Sequence, residues 1–153
     1  AGYQRSYRGD DFNGSIAREP WLLSVDAERT LRAHARVGIV TGRPHEEADF
    51  TLNQHGGPWP VVFGMEDMAQ QKPAPDGLLG ALDALGPTNA PGDVVYVGDS
   101  VDDMHAATAA NCVAVGVLAP GRGWDSQWPE RLYAAGATAV FAHIDEVVSW
   151  LTR

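Results

Sequence analysis

The stretch Val94-Val95-Tyr96-Val97-Gly98-Asp99-Ser100-Val101-Asp102-Asp103 constrains the fold more than any other. An apolar run of strand-forming residues stops at a glycine. Three carboxylates follow within five positions, and Met104-His105-Ala106-Ala107 then begins a helical pattern. A buried strand that delivers carboxylates to a strand-to-helix turn is where an open α/β sheet holds its ligands. Oxygen donors packed that closely suit a hard cation such as Mg²⁺.

The rest of the chain alternates in the same way. Residues 1–19 are polar and weakly periodic and read as loop or short helix remnant. Pro20 suits a first helical turn, and Trp21, Leu22, Val25 and Leu31 predict a helix over about 20–35. Val37–Thr41 reads as a short buried strand ended by Gly42-Arg43-Pro44, followed by a helix over 44–55 closed by Gly56-Gly57. Val61-Val62-Phe63 is the next strand. Leu78, Leu79, Leu82 and Leu85 predict a helix over 75–85. Beyond the opening strand, the pattern predicts a helix over 101–110, a strand over 112–118, a helix over 129–135, a strand over 139–141 and a helix over 144–152. Such alternation predicts a parallel sheet with helices on both faces.

Composition narrows the function. The net charge of −9 argues against nucleic acid, because a phosphate backbone needs a basic face. No apolar run approaches the ~20 residues of a membrane span. No basic-then-apolar leader is present, and the single cysteine, Cys112, fits a reducing cytoplasm. Of 11 basic residues only Lys72 is a lysine. The five histidines lie without ligand spacing and read as surface or core residues. The tryptophans read as packing residues, with Trp21 or Trp59 able to line an exposed patch. Gly121-Arg122-Gly123-Trp124 reads as a loop.

Three strand ends carry polar groups: Thr41-Gly42-Arg43, the Lys72-Pro73 segment, and Asp99 to Asp103. In a parallel sheet these ends share one edge, so a hydroxyl with free N–H groups, an ammonium and a carboxylate cluster can converge. That set suits a phosphate held on a divalent cation. The bland alternatives are a strand-to-helix turn at Thr41, a surface lysine at Lys72 and a helix start at Asp99–Asp103. Asp102 is read as that helix-start residue, and Arg43 as the partner of a nearby carboxylate.

The strand-Thr-Gly-Arg-Pro, Lys-Pro-x-Pro and Gly-Asp-Ser-x-x-Asp motifs resemble, in order and spacing, motifs II, III and IV of the haloacid dehalogenase superfamily, closest to its phosphatase-like subfamily I. The resemblance runs from about Pro20 to Ala119. It implies a Rossmann-like α/β core over 36–153, with residues 1–35 the remnant of a helical cap and its return into the core. It also implies roles. Thr41 and the N–H of Gly42 would bind the transferring phosphoryl group, and Lys72 would pair with the phosphate and the nucleophile carboxylate. Asp99 would ligate Mg²⁺, and Asp103 would ligate it or hold its water. The reaction implied is attack by an Asp carboxylate on a small phosphate monoester, through an aspartyl-phosphate.

The family's motif I, an apolar strand ending in Asp-x-Asp-x-Thr, finds no good match. The nearest string, Asp11-Phe12-Asn13-Gly14-Ser15, follows polar residues that cannot form a buried strand. The expectation is therefore a piece lacking its nucleophile and its central strand, inactive or poorly active alone. The missing N-terminal segment or a second chain would fill the gap between Val37–Thr41 and Val94–Gly98, unless those strands close up. The alternative function is a non-catalytic interaction or regulatory module, or an inert fragment. A dehalogenase would gain little from Asp99 and Asp103, and a receiver-like domain would carry its acidic pair and lysine in the reverse order.

Overall fold

The computed structural model describes residues 6–88, 92–120 and 125–153. The loop expected at Gly121–Trp124 lies outside them. Helices α1 Val25–His34, α2 His45–Gln54, α3 Asp76–Leu85, α4 Val101–Ala109, α5 Trp128–Ala134 and α6 Ile144–Leu151 alternate with strands. The strands are β1 Ile39–Val40, β2 Val62–Phe63, β3 Val95–Gly98, β4 Val113–Val117 and β5 Ala139–Phe141. All strand pairings are parallel.

The sheet is in two pieces. β1 pairs with β2, Ile39 opposite Val62. β3, β4 and β5 form a second sheet in that order. Among the described residues, β1 has no strand neighbour besides β2, and β3 none besides β4. The pieces still share a core. Leu78 of α3 packs with Met104, Ala106 and Ala107 of α4 and Leu132 of α5, and Val40 and Tyr96 press on that cluster.

Strand alternation sorts the layers. Ala114 belongs to the cluster under α4 and α5. Val115 points the other way and is fully buried, as is Val147 of α6, with Val148 nearly so; α6 packs on β4 and β5. α1 lies against α6, and the Ser24 N–H donates to Asp145 Oδ1 at 3.0 Å.

One expectation changes. The first helix starts at Val25, not at Pro20. Ser24 is its N-cap, its Oγ accepting the Ala27 N–H at 3.2 Å, with Asp26 and Glu28 in the first turn favoured by the helix dipole. Trp21 and Trp59 are half-buried and packed, as read from the sequence. Trp21 stacks on His55 with centroids 5.4 Å apart and tilts against Trp59, over which the Arg32 guanidinium sits at 4.2 Å.

The string Asp11–Ser15 forms no strand. It lies in short 3₁₀ turns, Asp10–Phe12 and Ser15–Arg18, with Asp11 at φ 55° and Phe12 at φ 59°. Those angles are incompatible with extended backbone. Phe12 instead stacks on Phe50 of α2 at 4.6 Å.

Candidate active site

The turn after β3 is built by reciprocal capping. Ser100 Oγ accepts the Asp103 N–H at 3.1 Å. Asp103 Oδ2 reaches back to accept from the backbone N–H of Asp99 at 3.1 Å and of Ser100 at 3.0 Å, and from Ser100 Oγ at 2.7 Å. Its other oxygen, Oδ1, accepts from Lys72 Nζ at 2.6 Å and from Tyr96 Oη at 3.0 Å. The carboxylate folds so closely over the strand end that a Cβ on residue 98 would sit 2.3 Å from Asp103 Cβ, which is why glycine stands there.

With five donors on two oxygens, Asp103 has no lone pair left for a cation. Both oxygens serve the turn and the lysine here. The physical reason is that an Asp three residues after a Ser N-cap is in capping range, while Lys72 closes over the other oxygen. Burial of Asp103 works to raise its pKa, but the Lys72 charge and the hydrogen bonds from Lys72, Ser100 and Tyr96 outweigh it and hold the carboxyl below the usual range.

Lys72 shares the Asp103 oxygen with Tyr96 and also donates to Tyr96 Oη at 3.1 Å. Burial works to lower the ammonium's pKa. Tyr96 and Asp103 more than offset this and leave it above its ordinary value. The Tyr96 phenol is pushed up to about 12 by burial and by the charge of Asp103, so it stays neutral.

Asp99 is the opposite case. Its N–H goes to Asp103, and its carbonyl accepts from the Trp128 indole Nε1 at 3.0 Å. The backbone is held on both sides, yet the carboxylate has no hydrogen bond or ion pair among the described residues.

At the end of β1, the Thr41 N–H pairs with Phe63 O at 2.9 Å, and Thr41 Oγ1 accepts the Arg43 N–H at 3.2 Å. The hydroxyl keeps its own proton to donate. Gly42 is exposed, and a methyl group there would lie 3.0 Å from Gln71 Oε1. Gln71 thus lies by the β1 loop while the next residue, Lys72, holds Asp103. This segment draws Gly42, Lys72 and the Asp99–Asp103 turn into one neighbourhood. Arg43 turns elsewhere. Its guanidinium grips Glu19 at 2.7 and 3.0 Å, and Tyr7 Oη donates to the same Glu19 at 2.9 Å.

Among the described residues no group of three or more His, Cys, Asp or Glu side chains could hold a metal. Sequence reasoning missed Tyr96, which reads only as a strand former, and Trp128 and Gln71, which carry no sequence signal. Ser100 alone had one, since Ser-x-x-Asp is a capping pattern.

The model of the family described as haloacid dehalogenase-like hydrolase matches residues 28–117. The chain belongs to the haloacid dehalogenase-like hydrolases. The curated phosphoglycolate phosphatase of Escherichia coli (strain K12) is 32% identical over 138 residues, covering 81% of this chain and 52% of that protein. The Salmonella typhi phosphoglycolate phosphatase is 34% identical over 119 residues, covering 71% and 44%. The chain therefore spans about half the length of these relatives. A solved phosphonoacetaldehyde hydrolase-like protein from Oleispira antarctica superposes with a TM-score of 0.74 at 17% identity, covering 90% of this chain and 59% of that one. That likeness speaks for the fold alone. Within this hydrolase family the Thr41, Lys72 and Asp99 positions lie in the matched span.

Proposed function

We propose that this chain is the phosphate-handling part of a Mg²⁺-dependent phosphatase that acts on a small phosphate monoester. The observation that carries the reading is the pairing of an anchored Lys72 ammonium with an unpartnered Asp99 carboxylate at one sheet edge. Asp99, an oxygen ligand whose backbone is fixed and whose carboxylate is unused, fits a hard cation; Asp103 does not. When bound, Mg²⁺ would neutralise phosphate charge. Thr41 Oγ1 donates to a phosphate oxygen, the exposed N–H of Gly42 donates to another, and Lys72 balances the charge that builds on the transferring group. Asp103 keeps Lys72 in place rather than touching the cation.

The nucleophilic Asp and the general acid/base belong, on this reading, to a strand seated between β1 and β3, where the sheet is interrupted. An upstream segment or a second chain would provide it. Residues 1–35 are the end of a cap, and the substrate is of the class named in the curated relatives. The single Cys112 accords with a cytoplasmic setting; among the described residues no helix is long and apolar enough to cross a membrane. The unpartnered Asp99 argues against a non-catalytic module, which has no reason to keep a bare carboxylate beside an anchored ammonium.

The chain as given should not hydrolyse p-nitrophenyl phosphate measurably, with or without Mg²⁺. Full hydrolysis that Asp99→Asn abolishes would place a nucleophile inside it. Reading the coding DNA upstream of Ala1 gives a second check. An apolar strand ending in Asp-x-Asp is expected there, and its absence removes the enzyme reading of the intact protein.

A further inference from the structure

We infer that Tyr96 is a positioning residue for Lys72, aiming the ammonium's third N–H at the ligand. The inference rests on the phosphatase reading above for its purpose, but its geometry stands apart. Lys72 Nζ, Asp103 Oδ1 and Tyr96 Oη form a closed triangle with sides of 2.6, 3.1 and 3.0 Å. The directions are fixed by chemistry. An ammonium cannot accept, so Lys72 donates to both oxygens, and the phenol must give its own proton to Asp103.

The count of donors explains why a phenol is needed. A lysine ammonium is a compact charge with three rotatable donors on a flexible stem. Asp103 alone would hold the nitrogen at a distance and leave it free to swing about one contact. A second acceptor fixes two N–H directions, and tetrahedral geometry then fixes the third. That third N–H has no partner among the described residues. The lysine side chain is 21% exposed while Asp103 is 5% exposed, so the lysine keeps access to solvent.

The rest of Tyr96 is anchored independently. It stands on β3 two residues before Gly98 and packs against the cluster that holds Leu78 and Met104. Tyr96→Phe keeps that packing and leaves Asp103 with four donors, so the variant should fold. It removes only the second acceptor for Lys72.

Lys72 is the single lysine of the chain, so ¹³Cε-lysine labelling gives one side-chain signal. In the wild type its two Hε protons should be inequivalent, as in a fixed side chain. In Tyr96→Phe they should merge, while the methyl signals of Met104 and Leu132 stay in place. With Mg²⁺ present, inorganic phosphate should move the Lys72 signal, and Tyr96→Phe should weaken that response roughly fivefold, about the worth of one hydrogen bond. A Lys72 Hε pair in Tyr96→Phe indistinguishable from wild type overturns the inference, as does a change confined to core methyl signals. A wild-type Lys72 signal that ignores phosphate removes the phosphatase reading instead, and the Hε comparison is read without it.

Discussion

Two triads, each of a tyrosine, a carboxylate and a cation, stand near the candidate site, and they behave differently. Tyr7, Glu19 and Arg43 form one; Tyr96, Asp103 and Lys72 form the other. In the first, a planar fork closes on both oxygens of one carboxylate, with the side chains of Arg43 and Glu19 38% and 28% exposed. In the second, a point charge takes one carboxylate oxygen and one phenol in a far drier place and keeps a donor in hand. The first ties the N-terminal segment to the loop after Thr41. The second ties the Lys72 segment to the turn that presents Asp99. A bidentate arginine finishes a contact, whereas an anchored lysine leaves one open. Arg43 is therefore a fastener, while Lys72 keeps one donor unspent among the described residues.

The comparison is broken most directly by removing the two carboxylates. Asp103→Ala leaves a mostly buried ammonium and two backbone N–H groups without their acceptor, and should lower unfolding free energy in urea by about 3–5 kcal/mol. Next in size, Gly98→Ala puts a methyl group into the Asp103 side chain and should cost about 1–3 kcal/mol in the same assay. Both loosen the lysine triad without touching the arginine triad.

A pH series sharpens the contrast. The Asp103 pKa is held below 3.8, so its contribution is present above that value and is lost as pH falls through the folded pKa. The Tyr96 pKa rises from 10.0 to about 12, so its contribution is complete below pH 10 and is lost as pH climbs toward 12. Stability measured against pH should lose its acid step in Asp103→Asn and shrink its alkaline step in Tyr96→Phe. The smallest effect belongs to Glu19→Gln. Because that pair is partly exposed and screened, about 0.5–1 kcal/mol is expected. A loss equal to that of Asp103→Ala would erase the distinction between the triads.

Much of this was legible in the chain. The strand and helix alternation follows from apolar runs that end at Gly and Pro, Thr41 and Asp99 stand out as polar groups after strands, and Lys72 as the single lysine between them. Asp103 was legible as a member of the carboxylate cluster, but its contacts were not. A carboxylate three residues after a serine caps the helix as readily as it binds a cation, and its second oxygen is claimed by a lysine 31 positions away. Tyr96 was hidden because a tyrosine in a strand is ordinary. The early start drawn for α1 has a similar cause: Trp21 and Leu22 keep helical spacing, but Trp21 is drawn to His55 and Trp59 instead. The division of the described strands into β1-β2 and β3-β4-β5 was not drawn from patterning alone.

On the proposed reading, Asp99 and Lys72 serve one phosphate; that pairing decides the rest. It is tested most directly by p-nitrophenyl phosphate hydrolysis in the product extended upstream through its own coding sequence, beside its Asp99→Asn and Lys72→Met forms. Mg²⁺-dependent hydrolysis abolished by either substitution is the predicted result. Hydrolysis that persists in Asp99→Asn, or that needs no divalent cation, would contradict it.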